Sequence, residues 1–558
     1  MPKAYRPLLP AFLLLTMLVA GSFYLMIKVS LADPLEPIFS LTLTYYQNHL
    51  SRSSFWMNAL YSLYLAVSAS LLSTVIGTIT AYAIATSEKT WLRQFSEKVM
   101  QAGMILPYLY VVFLAFLMLG QAGFISRLAL MLGFIDHKNA FPALIFDSAG
   151  MGMIWVYAFK GIPFVTVMTL TVMTRINRQY QDVARTFGAS RLQRLLQVYL
   201  PLSRRVILWS CLVLFAYALG SFEVPHLMSA FRPRPLSAEL YSLYLRPGLT
   251  SLSEAMALGV LMLVLGFITA GIYLGTLDYL LRNTTRFKWK GLTGKTPFET
   301  LWLTMLSVFW LIPMGYVLLF SFFAAIPFPE LLPRHFSLQF WESTFRGNPM
   351  FFRALLTSLQ LAAISGFLAT LLGLMTARSL SRLPHNTSVG WFAFISLPLF
   401  APAVILTIGL HLLMLRLALA NSKTAVVLAH VLISLPYSTA ILTTYLVGIG
   451  SEMEEVARTL GCNVPYYYRK LLLPLLLPGL FLSFCIGFLL SFSELFSVLL
   501  LGGGNVLSFS MLMYPAIMNS QWGTGAVMGS IFLSIHLLLF FLADRWVRRS
   551  VLGTDYLF

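Results

Sequence analysis

The chain has 558 residues, of which 58% are hydrophobic and 10% are charged, and its formal net charge is +18. A soluble protein of this size needs a more polar exterior, so the composition excludes a water-soluble globular protein. The Lys and Arg residues concentrate in loops predicted to lie on one side of a membrane, as the positive-inside rule describes. The basic charge therefore reflects membrane topology and does not indicate nucleic-acid binding.

Twelve segments are long and apolar enough to cross a bilayer as helices. Backbone N–H and C=O groups in hydrocarbon must be paired internally, and long continuous segments achieve this as helices rather than as barrel strands. We therefore predict an all-α polytopic (multi-pass) membrane protein with about 12 transmembrane helices and with both termini on the cytoplasmic side. The predicted spans lie near residues 8–29, 58–85, 101–119, 151–174, 205–229, 255–281, 298–323, 354–377, 389–413, 425–447, 476–501 and 526–544.

The first predicted span has some features of a secretory signal peptide. Lys3 and Arg6 precede the apolar run, and Ser30-Leu31-Ala32 resembles a cleavage site. The apolar run from Leu8 to Ile27 is, however, long for a signal peptide. We therefore predict an uncleaved anchor helix.

The spans form two sets of six, with similar residues at corresponding places. Ser62-Leu63-x-Leu65-Ala66 matches Ser358-Leu359-x-Leu361-Ala362, and Pro163 matches Pro436. Both sets begin on the inner side, so they are predicted to share one orientation, as parallel repeats do. We predict a first transmembrane repeat over residues 1–290 and a second over residues 291–558.

The linker between the repeats contains Gly291-Leu292-Thr293-Gly294-Lys295-Thr296, which resembles the end of a phosphate-binding loop. A complete loop needs a glycine at position 289, where the chain has Trp289, and it needs a preceding strand. The His, Cys and carboxylate residues show no metal-ligand spacing. We therefore predict no nucleotide site, no cofactor, no metal site and no catalytic residues in this chain.

One short polar motif occurs in each repeat, between long apolar segments. Asp182-Val183-Ala184-Arg185-Thr186-Phe187-Gly188 is followed by Leu200-Pro201, and Glu455-Val456-Ala457-Arg458-Thr459-Leu460-Gly461 is followed by Leu473-Pro474. Corresponding glycines and prolines are 273 positions apart. We call the segments from Asp182 to Pro201 and from Glu455 to Pro474 the first and second islands. Their repetition favours two equivalent docking sites for a partner outside the membrane over helices that simply lie on lipid.

The residues of the first island predict a short helix at the inner membrane surface. Asp182 lies near its start, where a negative charge is favourable with the helix dipole. Val183, Ala184 and Phe187 are expected to form a small apolar face, while Arg185 points elsewhere. Such a face fits a groove on a cytoplasmic partner.

The same helix is expected to be bounded by a glycine and a proline. Gly188 can adopt the left-handed conformation that ends a helix, and Pro201 restricts the entry into the next span. The second island repeats each element, with Ala457 and Arg458 in the helix and Gly461 after it.

The islands resemble the motif of the permease subunits of binding-protein-dependent ABC importers. That motif reads E-A-A-x-x-x-G and then, after nine further residues, I-x-L-P. This chain reads D-V-A-R-T-F-G then V-Y-L-P, and E-V-A-R-T-L-G then L-L-L-P. It differs at Asp182, Val183, Val456, Val198 and Leu471, and each difference is conservative. The chain resembles the fused, two-in-one permeases that import ferric iron, thiamine or polyamines, and the implied fold is the type I ABC importer permease fold.

The resemblance implies that each island contains a coupling helix that docks on an ATPase subunit, at about residues 180–201 and 453–474. It implies a complex of this chain with two copies of an ABC ATPase subunit and a periplasmic solute-binding protein, in lipid of a bacterial inner membrane. The partner ATPase supplies ATP hydrolysis, so the chain itself is not an enzyme. The residues assigned to coupling by this resemblance are Asp182, Ala184, Arg185, Gly188, Pro201, Glu455, Ala457, Arg458, Gly461 and Pro474.

Three ionisable residues in or near the predicted spans are candidates for the solute path. Lys160, Glu223 and Glu494 fall where a charge is costly unless it faces a cavity or a partner. Glu223 and Glu494 stand at nearly equivalent points of the two repeats, which would favour a cationic solute. The alternative is structural, with snorkelling at the outer helix ends or a salt bridge between Lys160 and Glu223.

The main alternative function is an ion-coupled secondary transporter, because twelve spans in two parallel repeats also describe that class. It would explain Glu223 and Glu494 as ion relays, but it would not explain two matched islands. A membrane-embedded enzyme would need a reactive cluster, and the sequence contains none that we recognise.

Overall fold

The structure is a computed structural model that describes residues 3–34, 41–176, 183, 186–283, 298–323, 327–331, 335–450 and 452–549. Within these residues the secondary structure is helical, apart from isolated bridges such as the one between Phe323 and Phe336. Free thiols are found at Cys211, Cys462 and Cys485.

Eleven helices of the described residues are long and apolar enough to cross a membrane. The prediction of an all-α polytopic membrane protein is thereby confirmed. These helices are Tyr5–Ser30, Ser53–Thr86, Tyr108–Met131, Met151–Met173, Arg191–Gly220, Thr250–Arg282, Phe298–Ser321, Phe351–Leu380, Lys423–Ile449, Tyr467–Ser493 and Trp522–Val547. Shorter helices lie between them, at Thr44–Ser51, Thr90–Ile105, Glu223–Met228, Leu236–Tyr244, Gln339–Arg346, His385–Ile395, Leu397–Phe400, Ala403–Arg416, Glu452–Thr459, Phe496–Leu501 and Phe509–Met518.

The predicted span near 389–413 is not one continuous helix, and this accounts for the difference between twelve predicted and eleven observed long helices. Ala401 precedes Pro402 and has extended backbone, with ψ of 133°. A residue before proline is disfavoured in the helical region, so the helix is interrupted there. The same effect separates two helices at Leu106, which precedes Pro107 and has ψ of 139°. The segment around the first break forms His385–Ile395, Leu397–Phe400 and the shorter apolar helix Ala403–Arg416.

The chain divides into two compact units, and neither is one continuous stretch of sequence. In one unit, Leu15 and Leu18 of the first helix are buried in a hydrophobic core with Leu410 and Met414. This unit consists of Met1–Ala32, Glu342–Gln521 and Ile531–Phe558.

The other unit contains the Phe298–Ser321 helix together with most of the first half of the chain. The fully buried Trp310 donates a hydrogen bond from Nε1 to the carbonyl oxygen of Phe159 at 3.0 Å. This unit consists of Asp33–Trp341 and Trp522–Ser530. Each unit thus includes the first long helix of the opposite half.

The predicted repeats, 1–290 and 291–558, stay a prediction, and the boundary between them lies outside the described residues.

Within each unit, a glycine allows two long helices to cross closely. A Cβ added at Gly77 would lie 2.7 Å from Cβ of Val165, and one added at Gly373 would lie 2.7 Å from Cβ of Ser438. Val165 and Ser438 are 273 positions apart, which is also the separation of the two islands. The crossing therefore occurs at corresponding places in the two units and places the following islands at corresponding ends of their helices.

Candidate functional site

The second island begins inside a short helix, Glu452–Thr459, which we call the second island helix and which Gly461 follows. Gly461 has a φ of 73°. Its N–H donates to the carbonyl oxygen of Arg458 at 3.0 Å, and the N–H of Cys462 donates to that of Ala457 at 2.9 Å. This pair of hydrogen bonds is the Schellman motif, which satisfies carbonyl groups at a helix end. The helix is therefore much shorter than the predicted range 453–474.

The first island has the same local geometry where the structure describes it. Val183 and Thr186 are helical, and the N–H of Phe187 donates to the carbonyl oxygen of Val183 at 3.1 Å. Gly188 has a φ of 72°. The predicted coupling residues Asp182, Ala184 and Arg185 lie outside the described residues.

After each glycine, a polar side chain caps the start of the next helix. Ser190 Oγ accepts a hydrogen bond from the N–H of Gln193 at 3.3 Å, and Gln193 Oε1 accepts one from the N–H of Ser190 at 2.7 Å. In the second island, Asn463 Oδ1 accepts from the N–H of Tyr466 at 2.9 Å. Ser190 and Asn463 are again 273 positions apart. In the described residues, both islands therefore combine helical residues, a left-handed glycine and a capped second helix.

Pro201 and Pro474 do not bound the short island helices, contrary to the sequence expectation. Pro201 lies inside the continuous Arg191–Gly220 helix, and Pro474 lies inside Tyr467–Ser493. A π-helical segment, Leu195–Tyr199, directly precedes the helical stretch that contains Pro201, and another, Tyr467–Leu472, directly precedes the one that contains Pro474. A proline removes one backbone donor and crowds the preceding turn, and a wider π turn accommodates both effects.

Each island exposes two apolar side chains at matching positions. In the first island, Val183 is 54% exposed and Phe187 is 86% exposed. In the second island, Val456 is 56% exposed and Leu460 is 80% exposed. Both pairs are spaced i, i+4, which places their members on the same side of a helix. Each island thus presents a small apolar surface next to its left-handed glycine.

An adjacent face of the second island helix is anchored to its own unit. Ala457 is 6% exposed and belongs to a hydrophobic cluster that includes Ala377, Leu446 and Tyr467. Met453 packs against the same cluster. The helix is therefore held by one face, while Val456 and Leu460 remain accessible on another.

An ion cluster adds a second anchor. The Glu454 carboxylate accepts a hydrogen bond from Arg378 at 2.6 Å, another from Arg382, and one from Arg458 at 2.7 Å. Arg378 also donates to Tyr468 Oη at 3.0 Å. Burial acts to raise the pKa of the Glu454 carboxyl, but the hydrogen bond from Arg382 and the charges of Arg378 and Arg382 outweigh it. The pKa is consequently held below its ordinary value, so the carboxylate stays charged.

The sequence interpretation missed Glu454, Arg378 and Arg382. The available signal was the i, i+4 spacing of Glu454 and Arg458, which favours an ion pair on a helix. The contribution of Arg378 and Arg382 depends on a helix that lies more than 70 positions away, and no local pattern predicts it.

Two of the predicted solute-path residues, Lys160 and Glu223, lie in one compact unit. Nζ of Lys160 is 4.2 Å from the ring centroid of Tyr108, which stacks on Tyr217 with a centroid distance of 4.2 Å. Glu223 is the first residue of a short helix that follows the break at Ser221. Both charged side chains are half-buried.

The third, Glu494, belongs to the other unit and borders a buried polar cluster. Its carboxylate accepts a hydrogen bond from Ser497 Oγ at 3.0 Å. His430 is 1% exposed and lies between Ser491 Oγ, 2.6 Å from Nδ1, and Ser497 Oγ, 2.9 Å from Nε2. The corresponding position in the other unit is Tyr157, whose hydroxyl is 2.5 Å from Ser221 Oγ.

The chain also matches a known protein family. Residues 73–286 and 369–552 each match the domain described as binding-protein-dependent transport system inner membrane component. The two matches together make up more than half of the chain, and each contains one island.

Three curated relatives are similar to parts of the chain. The probable ABC transporter permease protein y4fN of Sinorhizobium fredii is 25% identical over 61% of this chain and 62% of its own. A ferric transport system permease of Actinobacillus pleuropneumoniae is 26% identical over 38% of this chain and 34% of its own. A spermidine/putrescine transport system permease of Haemophilus influenzae is 28% identical over 28% of this chain and 62% of its own. The chain thus spans less than two thirds of the length of each relative.

The domain occurs twice, the described residues form apolar helices of membrane-spanning length, and the same island follows the same helix crossing in both copies. The chain therefore belongs to the family of binding-protein-dependent transport system inner membrane components, as a fused permease with two copies of the family domain.

Proposed function

We propose that the chain is the permease of an ATP-driven importer, which forms the solute path and receives its energy from two separate ATPase subunits. The observation that carries the proposal is the matched pair of apolar surfaces, Val183 with Phe187 and Val456 with Leu460, each beside a left-handed glycine. Two equivalent surfaces suit two copies of one partner subunit.

Each surface belongs to a short helix, which we propose is a coupling helix. The second one is fixed to its unit on one face and exposed on another, so a partner that moves Val456 and Leu460 also moves the helices beneath them. ATP acts by binding one arrangement of the partner dimer better than another, which shifts the permease between inward-open and outward-open states.

The family description supports a further partner and a location. We place the chain in a bacterial inner membrane with the islands and both termini on the cytoplasmic side, because the Lys and Arg distribution favours that orientation. A solute-binding protein would then deliver solute on the opposite face, as the description binding-protein-dependent implies.

The solute is proposed to be small and charged, of the thiamine, ferric iron or polyamine type, with a cation favoured. Glu223 and Glu494 each follow the end of a long apolar helix. A carboxylate in a membrane is costly unless it faces a solute path or pairs with another group. Two relatives are, by name, ferric and spermidine/putrescine permeases.

The test is co-purification of the tagged chain with its ATPase from detergent, with mass spectrometry of the bound proteins. The double variant Phe187→Ala and Leu460→Ala should weaken ATPase binding by at least about tenfold, because exposed apolar anchors dominate small interfaces. The matched control is Phe134→Ala with Leu245→Ala, which truncates side chains that are 78% and 57% exposed in predicted outer segments and should leave binding unchanged.

The outcome against the proposal is a wild-type chain that purifies without an ATPase. If such a chain in liposomes moves labelled spermidine, thiamine or ferric ion on an ion gradient, the secondary transporter is the correct alternative.

A further inference from the structure

The second island helix, Glu452–Thr459, carries an ion cluster that docking on a partner subunit does not require. One carboxylate, Glu454, joins three guanidinium groups that come from its own helix and from the end of the Phe351–Leu380 helix and the residues just after it. Arg378 and Glu454 are only 17% and 15% exposed, so solvent screens this pair less than a surface ion pair. Guanidinium groups bind a carboxylate with directional hydrogen bonds, so the arrangement fixes orientation as well as distance.

The sequence of the first repeat has other residue types at the positions that correspond to this cluster. In the register that aligns the islands, Gln181 stands where the second has Glu454. In the register that aligns the preceding long helices, Tyr82 and Thr86 stand where the second has Arg378 and Arg382. None of the three is charged.

Tyr82 contributes instead to a different contact. Its hydroxyl donates to the carbonyl oxygen of Arg191 at 3.2 Å, and its ring packs edge-on against Tyr199 with a centroid distance of 5.1 Å. Both partners lie after Gly188, and Arg378 of the second repeat likewise contacts Tyr468, which lies after Gly461. In both repeats the segment after the glycine is therefore tied to the preceding long helix.

We propose that Glu454 is a positioning residue that clamps the second coupling helix to the Phe351–Leu380 helix, so that the two move as one body. The inference rests on the proposed function for its consequence, which is that movement of the ATPase reaches the Phe351–Leu380 helix directly. The clamp itself needs no partner subunit, because all of its residues belong to this chain.

The clamp is tested by the distance between two spin labels, one on Thr459→Cys and one on Leu371→Cys, in a chain whose native cysteines are replaced by serine. Both positions are exposed, and they lie on the two helices that the clamp joins. The measurement uses the purified full chain, alone and with its ATPase bound to a non-hydrolysable ATP analogue. The wild-type chain should give one narrow distance distribution that is the same in both states.

Glu454→Gln should broaden this distribution, while the matched control Glu452→Gln, which removes an exposed carboxylate from the same helix, should not. The swap Glu454→Arg with Arg378→Glu keeps the net charge and should restore the narrow distribution, which a general loss of folding would not allow. In the complex, Glu454→Gln should also reduce the stimulation of ATP hydrolysis by the host solute-binding protein by about tenfold, while ATPase binding persists.

A narrow distribution in Glu454→Gln would overturn the clamp. If no ATPase co-purifies with the wild-type chain, the proposed function is overturned instead. The spin-label distances in the isolated chain would still show whether Glu454 joins the two helices. The two failures are therefore distinguishable.

Discussion

Gly188 and Gly461 are 273 positions apart and have the same left-handed backbone, with φ values of 72° and 73°. A Cβ added at either glycine would meet no other atom within 4 Å. The requirement for glycine is thus one of backbone conformation and not of space. It determines where each island helix ends and where its exposed apolar pair points.

Replacing both glycines with valine should impair coupling. A β-branched residue in the left-handed region costs roughly 1–2 kcal/mol at each site, so the chain favours a continued helix or another turn. We expect weaker ATPase co-purification and a lower melting temperature of the complex. Asparagine tolerates the left-handed region, so Gly188→Asn with Gly461→Asn is the control and should retain most binding. Equal loss in both double variants would show that volume, not conformation, matters.

The Glu454 cluster should be insensitive to pH across the physiological range. The pKa of Glu454 is lowered in the folded protein from its ordinary value of 4.5. A lowered folded pKa contributes stability above the ordinary value, and this stability is lost as the pH falls through the folded pKa. Amide exchange of the Glu452–Thr459 helix, corrected for the intrinsic rate, should therefore stay constant from about pH 8 to about pH 5 and rise below about pH 4. Glu454→Gln should show no such rise. A change centred near neutral pH would contradict the assignment.

Truncation of His430 should destabilise the protein through its serine partners. His430→Leu leaves the buried Ser491 hydroxyl without its partner, which costs about 1–3 kcal/mol. His430→Leu with Ser491→Ala removes the unsatisfied hydroxyl as well, so thermal melting should show partial recovery. A double variant less stable than His430→Leu would argue against this contact.

Neutralising both candidate path carboxylates should reduce uptake of a cationic solute. We expect Glu223→Gln with Glu494→Gln to lower transport while basal ATP hydrolysis remains, because neither residue belongs to an island. The comparison needs uptake of labelled spermidine and of ferric ion beside ATPase rates on the same preparation. Unchanged uptake of every solute that the wild-type chain transports would remove both residues from the path.

The sequence predicted the islands because they depend on local chemistry. Long apolar segments separate them, glycine alone accepts their left-handed turn readily, and the two copies keep one spacing from Pro163 and Pro436 onward. The helical membrane class and the repeated family domain followed from the same patterns and were confirmed.

The break in the predicted span near 389–413 was also encoded locally, by Pro402, but apolar composition concealed it. Hydropathy counts side chains and takes no account of the backbone restriction that proline places on the residue before it. The positions of Pro201 and Pro474 inside continuous helices show the opposite error, since a π turn before each proline accommodates the missing backbone donor.

Local sequence patterns were enough to predict the membrane class, the twofold repeat and the two islands, because hydropathy, glycine and short-range spacing act within one or two helical turns. Three features depend on how distant segments pack: the anchored face of the second island helix, the contact of Glu454 with Arg378 and Arg382, and the exchange of first helices between the two halves. Those contacts join residues tens to hundreds of positions apart, and they form because buried charges need partners and apolar helices need neighbours.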